Sequence, residues 1–209
     1  MKQLGWDLLD RLRRASLEGE RAHAFYAPPY REGYTREAIL AKNPGLAAVN
    51  ILLYRKGGEW YFPLMVRSHN ENDRHSGQIS LPGGRREAWD DDFSCTALRE
   101  TSEEIGVPVW RMRMVRGLTP LYIPPSNFYV YPFVSYTGRE PLFRLQASEA
   151  VELIEFPVRL LLSMPLTPER RVLPSSRGQA VPVIVLEGHV IWGATAMILS
   201  EFSHLLKKL

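Results

Sequence analysis

The sequence predicts an α/β fold in which one sheet is sandwiched between helices. Short apolar, partly β-branched runs recur from Leu46 to Ile191, and segments with helical periodicity stand among them rather than apart. The length of 209 residues is enough for one sizeable core. In chain order, Trp6 to Leu17 carries amphipathic helical spacing, and Tyr26-Ala27-Pro28-Pro29-Tyr30 interrupts any helix beyond it. Thr35 reads as the N-cap of a short helix through Lys42, because Glu37 and the apolar Ala38, Ile39 and Leu40 come next. Residues 1–45 are therefore expected to be a helical N-terminal extension packed on the core of a single domain spanning 1–209.

Leu46 to Tyr54 and Trp60 to Val66 are strand-like and separated by Arg55-Lys56-Gly57-Gly58, a hairpin signal. A short strand at Ile79 to Leu81 comes after them. Asp90, Asp91 and Asp92 then offer caps for a helix that Gly106 is placed to end. Met112 to Leu118, Phe128 to Tyr136, Val151 to Phe156 and Val181 to Ile191 supply further strands, with Pro165 to Gly178 as a loop rich in Pro, Arg and Ser. Ala194 to Leu209 has helical periodicity, and Lys207-Lys208 fall in a last turn where positive charge suits the helix dipole. No internal repeat or domain linker interrupts this order.

Composition narrows the function classes. A net charge of +3, with no Lys/Arg run interleaved with aromatics, argues against a nucleic-acid partner. Cys95 is the single cysteine, so neither a disulfide nor a cysteine-based zinc site forms within one chain; its place in a helix suggests packing. No secretory apolar region and no apolar run near 18 residues appear, which points to the cytoplasm and away from a membrane. Trp60, Trp110 and Trp192 read as core or interface aromatics rather than platforms for a base.

The chemistry concentrates between Gln78 and Val107. Glu100, Glu103 and Glu104 stand at i, i+3 and i+4, so a helix places their carboxylates on one face with Cβ atoms about 5–6 Å apart. Like charges so placed repel unless something positive lies among them, and carboxylate oxygens suit Mg²⁺ or Mn²⁺. Glu-rich helix faces are also commonly plain solvated surface, and here the surroundings favour a site. Leu81-Pro82-Gly83-Gly84 ends a strand-like run with a turn that exposes bare backbone, since glycine has no Cβ to obstruct a ligand. Ala97, Leu98, Thr101 and Ile105 give the helix a face to bury, and Arg99 is able to hold a carboxylate bidentately.

Gly84, Asp90 and the run Arg99-Glu100-Thr101-Ser102-Glu103-Glu104-Ile105-Gly106-Val107 resemble the Nudix box, G-x5-E-x7-R-E-U-x-E-E-x-G-U with U apolar. Asp90 replaces the first glutamate with eight residues before Arg99, and Thr101 fills an apolar position; whether Asp90 or Asp91 reaches the site is open. Upstream, Arg67-Ser68 and Arg74-His75-Ser76-Gly77-Gln78-Ile79-Ser80-Leu81-Pro82-Gly83-Gly84 are similar to the segment before the box in Nudix hydrolases acting on coenzyme A. The spacing from Arg67 to Gly77 is one residue longer here, and Leu81 stands for Phe. Thr96 to Glu100 and Ile191 to Ala196 also look like that subgroup.

The resemblance implies a Nudix-type α/β/α sandwich with a mixed central sheet. It implies Mg²⁺ or Mn²⁺ held by Glu100, Glu103 and Glu104, and catalysis by Glu103, Glu104 and Arg99. It further implies substrate binding by Arg67, Arg74, His75, Gln78, Gly83 and Gly84. The substrate implied is a nucleoside diphosphate derivative, and for the subgroup coenzyme A, cut to 4'-phosphopantetheine and adenosine 3',5'-bisphosphate. Two other readings stand beside it: hydrolysis of another diphosphate such as ADP-ribose or a dinucleotide, and a non-catalytic nucleotide-sensing domain, which has no need of three metal carboxylates.

Read from the residues alone, Arg67, Arg74, Arg85 and Arg86 flank the glycine turn either as a phosphate-facing rim or as solvated loop arginines. His75 and Gln78 likewise either contact substrate or fix the turn. The general base is open among Glu103, Glu104 and the later Glu149, Glu152 and Glu155. The loop Tyr122 to Asn127, stiffened by Pro124-Pro125, is a specificity candidate.

Overall fold

The computed structural model describes residues 5–29, 31, 34–68, 77–176 and 178–209. Its centre is β1 (Gly45–Lys56), joined to β2 (Glu59–Arg67) through Gly57 and Gly58. Both glycines have positive φ, 57° and 86°, the backbone a two-residue turn needs to match strand twist. One edge of β1 pairs in parallel with β7 (Phe128–Thr137), from Gly45 opposite Phe128 to Leu53 opposite Tyr136. The other edge is shared. Its far end pairs with β2 at Tyr54 to Lys56, and its near end pairs with β4 (Gly83–Arg85) at Ala47 to Val49.

Beyond Tyr61, β2 pairs with β8 (Ala150–Pro157) on one side and, at Met65 and Val66, with β3 (Ile79–Ser80) on the other. β5 (Met112–Gly117) and β6 (Leu121–Ile123) pair antiparallel with β7. The sheet is therefore mixed.

Period-two alternation on β1 sorts its side chains into two cores. Ile51 and Leu53 join the larger one, with Leu8, Leu9 and Leu12 of α1 (Asp7–Arg14), Val158 and Leu161 of α5 (Val158–Leu162), and Leu199 and Phe202 of α6 (Gly193–Lys207). Leu52 points the opposite way, to Ile105 at the end of α4 (Phe93–Ile105), with Val107 and Met112. Helices thus cover both faces, and the chain forms the expected α/β/α sandwich. Two further short helices, α2 (Glu20–Ala24) and α3 (Arg36–Leu40), precede the sheet; Thr35 caps α3, its Oγ1 accepting from Ala38 N at 3.2 Å.

Three expectations are corrected, and the tryptophans divide. Val181 to Ile191 is not one strand: Glu187 and Gly188 take positive φ and fold the run into a hairpin of β10 (Ala180–Leu186) and β11 (His189–Trp192). The loop from Pro165 contains a third strand of that small sheet, β9 (Arg170–Val172), whose backbone pairs with Ala180 to Pro182. Trp60 is buried in the core, but Trp110, on a 3-10 turn at Val109–Arg111, is 73% exposed. Cys95 lies in α4 yet faces solvent instead of packing, because the buried stripe of that helix runs through Thr96, Ala97, Thr101, Glu104 and Ile105.

A buried acid fastens α6. Glu201 accepts hydrogen bonds from Gly19 N (3.2 Å), Thr119 N (3.0 Å) and Thr119 Oγ1 (2.5 Å). His23 Nε2 stands 3.3 Å from the same carboxylate, in ion-pair range without an aligned hydrogen bond. Burial opposes the charge on Glu201, but the pull of His23 and Thr119 outweighs it and holds the carboxyl below its usual range. Helix, N-terminal segment and sheet are joined at that point.

Candidate functional site

Local sequence sets the helix that carries the site. Asp92 Oδ1 accepts from Cys95 N at 2.9 Å as the N-cap, and Gly106, at φ 73°, ends the helix in the left-handed region. Thr101 is fully buried and explains its departure from an apolar position. Its hydroxyl donates to Ala97 O (2.6 Å) and accepts from Asn50 Nδ2 (3.1 Å), while Asn50 Oδ1 accepts from Ser135 (2.8 Å). Two strands and the helix are thereby locked by one satisfied polar chain inside the core.

Arg99 is the hub. Its Nε and Nη2 clamp the two oxygens of Asp90 at 2.9 Å each, Nη1 reaches Glu100 Oε1 and Glu103 Oε2 at 2.9 Å each, and Nη2 also donates to Arg85 O at 3.0 Å. Asp90 is buried, accepts in addition from Glu87 N and Thr96 Oγ1, and is held well below the usual carboxylate range, first by Arg99. Asp91 is exposed. Of the two, Asp90 is the one turned inward, where it holds Arg99.

The three glutamates take different surroundings. Glu104 is buried and accepts from Gly83 N at 2.7 Å; loss of water around it lifts its pKa to about 8, against the pull of that N–H. Glu100 lies against the next glycine: a Cβ on Gly84 would overlap Glu100 Oε2. Its pKa is also raised, by burial, despite Arg99. Glu103, paired with Arg99, keeps 58% of its side chain exposed. Gly83 itself has φ 151° and sits so close to β1 that a Cβ would overlap Ala48 O. Consecutive glycines therefore allow strand, turn and two carboxylates to meet.

Gly83 and Gly84 also line a cavity of about 770 Å³, together with Arg67, Gln78, Arg85 and Arg31. No carboxylate is among the described residues that line it. Arg67 N donates to Gln78 O at 3.0 Å, and the positive charge of Arg67 acts on Glu104. Of the expected substrate residues, the structure brings Arg67, Gln78, Gly83 and Gly84 to one cavity; Arg74 and His75 lie outside the described residues. Ile123 to Phe128, the proline-stiffened loop, borders the same cavity, as does Trp192.

The later acids separate. Glu155 accepts from Tyr54 Oη and Lys56 Nζ, both at 2.7 Å, and Glu152 stands 3.4 Å from His189. Glu149, on the turn before β8, is close enough for its charge to act on Glu104.

Among the described residues, no three His, Cys, Asp or Glu side chains form a ready-made metal cage. Mg²⁺ seldom asks for one: it takes one or two carboxylates and completes its shell with water and substrate phosphate oxygens. Glu100 and Glu104 fit that demand, being hard oxygen donors beside adjacent glycines, both destabilised as anions by burial that a cation would offset.

The family described as NUDIX domain matches residues 45–173. The chain is 33% identical over 174 residues to mitochondrial coenzyme A diphosphatase NUDT8 of Homo sapiens, covering 79% of this chain and 71% of that protein. It is 29% identical over 140 residues to an uncharacterized Nudix hydrolase, NudL, of Yersinia pestis, covering 67% and 70%. Among solved structures, a Nudix hydrolase from M. smegmatis, RenU, overlays with a TM-score of 0.47 at 16% identity, covering 65% of this chain and 80% of that one.

Proposed function

The chain belongs to the NUDIX domain family and is a hydrolase of phosphoanhydride bonds, and from that premise we propose that it cleaves the diphosphate of coenzyme A or a derivative. The products are 4'-phosphopantetheine and adenosine 3',5'-bisphosphate. The observation that carries the reading is the glycine turn, which presents one cavity lined by Arg67 and Arg85 and touches Glu104 and Glu100 at Gly83 and Gly84. A diphosphate seated there meets guanidinium donors across glycines that carry no side chain to obstruct it, while its reacting phosphorus adjoins the acids. The similarity to a coenzyme A diphosphatase and the segment from Arg67 to Gly84 support this substrate over others.

Glu100, Glu103 and Glu104 are assigned to a divalent ion, Mg²⁺ or Mn²⁺, which when bound offsets phosphate charge and lowers the pKa of water. The protein's own contribution is orientation. Arg99 fixes Glu100 and Glu103 and ties them to the loop through Asp90, and Gly83 N aims Glu104. Whichever of Glu103 and Glu104 is not fully committed to the ion is assigned to receiving the proton of the attacking water, with Arg67, Gln78, Gly83 and Gly84, and by resemblance Arg74 and His75, assigned to substrate. Among the described residues no helix is long and apolar enough to cross a membrane; a reducing compartment such as the cytoplasm is the location assigned.

The test is a substrate panel. Purified protein with Mg²⁺ or Mn²⁺ is incubated with coenzyme A, its acylated and oxidised forms, ADP-ribose, NADH and diadenosine polyphosphates, and products are resolved by chromatography. Cleavage of coenzyme A or its derivatives is expected; cleavage confined to another class overturns the substrate.

A further inference from the structure

The family match covers residues 45–173, yet the cavity that the glycine turn lines is also lined by residues outside that span. Pro28 comes from the segment after α2, and Trp192, Ala194 and Ile198 come from the junction of β11 and α6. Pro124 and Pro125 of the loop after β6 line the same cavity. Arg31 joins these pieces: its guanidinium donates to Tyr122 O and lies 2.9 Å from Met197 Sδ, so the proline loop and α6 are bound to one another through the N-terminal segment.

This part of the lining differs in chemistry from the arginine-flanked turn: prolines, Trp192 and Ile198 give it an apolar wall, with the Ser126 and Thr195 hydroxyls beside it and the Arg31 guanidinium engaged with Tyr122 O and Met197 Sδ. The ring of Phe128, which also lines the cavity, has little face left for a nucleobase. A Cβ on Gly45 would touch it at 2.7 Å, and the Arg85 guanidinium lies 5.3 Å from its centroid. A base needs an open aromatic face and matched polar edges, whereas a flexible chain of methylenes and amides needs apolar walls with occasional hydrogen-bond groups.

Resting on the diphosphatase reading above, we propose that Trp192, Ala194, Ile198 and the Pro124-Pro125 loop form the seat of the substrate's non-nucleotide arm. That arm is the long, uncharged, amide-bearing chain attached to the phosphate remote from the nucleoside. Selectivity for armed substrates then resides partly outside the family match, in Trp192, Ala194 and Ile198, and partly in the Pro124-Pro125 loop within it, while the bond-cleaving groups reside inside it. Binding energy gathered at the arm is separable from chemistry at phosphorus, so the two ends respond differently to substitution.

The experiment compares two substrates in the full chain with its divalent ion: coenzyme A, and the same adenosine 3'-phosphate 5'-diphosphate with the arm cut to a methyl ester. Wild type is expected to favour coenzyme A in kcat/KM by about tenfold or more. Trp192→Ala removes the wall, and Ala194→Leu fills it with a good helix former, which keeps the test valid if the first variant folds poorly. Each is expected to lower kcat/KM on coenzyme A about tenfold while changing the methyl ester less than about threefold. Equal losses on both substrates, as a base-stacking or purely structural Trp192 would give, overturn the proposal, as does no loss on either. Wild type that cleaves other nucleoside diphosphates but not coenzyme A overturns the coenzyme A reading, and the arm seat with it.

Discussion

Glu104 Oε2 and Gly83 N meet at 2.7 Å, which fixes the last acid of the helix to the strand that lines the cavity. The contact turns a repulsive row of side chains into an aimed one: Glu104 points to the turn while Glu103, one residue earlier, stays with Arg99 at the surface.

Glu104→Gln retains an oxygen to accept from Gly83 N and removes a charge that burial disfavours. The melting temperature of the metal-free protein is therefore expected to hold within a few degrees, about what 1 kcal/mol produces. Turnover is expected to fall by about a hundredfold or more, and Glu103→Gln to reduce it by a comparable order. Steady-state kinetics beside thermal melts check both; near wild-type turnover in the two variants would remove these residues from the site.

Substituting the two glycines is expected to have opposite emphases. Alanine at Gly83 would strike Ala48 O and, at 2.5 Å, Val49 Cα, both backbone, from a φ of 151° that side chains rarely adopt. Loss of several kcal/mol or failure to fold is expected, on the order of 3 kcal/mol or more. At Gly84 the three atoms nearest to an alanine Cβ all belong to the carboxyl end of Glu100, the far end of a flexible side chain, which is expected to rotate away. That variant is expected to fold, with activity reduced about tenfold or more and a higher Mg²⁺ concentration needed for half-maximal rate. Denaturant melts and metal titrations of the two proteins separate the cases.

Asp90 gives the fold an acid limit. Because Arg99 depresses its pKa in the folded state, its contribution is present above the unfolded value of about 4 and is lost as pH falls toward the folded one. Asp90→Asn is expected to cost about 2 kcal/mol at pH 7 and to flatten the decline in stability below about pH 4. Urea melts from pH 3 to 7 measure it, and parallel curves for the two proteins would show that the ion pair contributes nothing.

Thr101→Val exchanges a buried hydroxyl for a methyl and leaves Asn50 Nδ2 without its partner. A loss of about 1–3 kcal/mol is expected. Adding Asn50→Leu should cost less than the sum of the single changes, since the shared penalty is then already incurred. A double-mutant cycle by chemical denaturation reads the coupling directly.

Much of this was legible from local pattern. The Gly57-Gly58 hairpin, the Asp92 and Gly106 caps and the glutamate face of α4 each depend on residues a few positions apart, which is the range over which backbone geometry is dictated by sequence. Glu187-Gly188 was missed because an uninterrupted apolar run surrounds it and Glu seldom takes positive φ. α2 and α5, at five residues each, are too short to show a period. The cavity wall was beyond reach for a different reason: Pro28, Pro124 and Trp192 come together only through the sheet and α6. Likewise, nothing in Asp90-Asp91 tells which one turns inward until Arg99 and Thr96 are placed around it.

The glycine turn also divides charge. Asp90, Glu100, Glu103 and Glu104 outnumber Arg99 on its helix side, whereas Arg31, Arg67 and Arg85 are among the residues that line the cavity. An approaching diphosphate meets a potential gradient that draws it toward the arginines, and a small cation is drawn to the other pole. Encounter at low substrate concentration should consequently slow as ionic strength rises past the point where the screening length shrinks below about 10 Å, while the rate at saturating substrate holds.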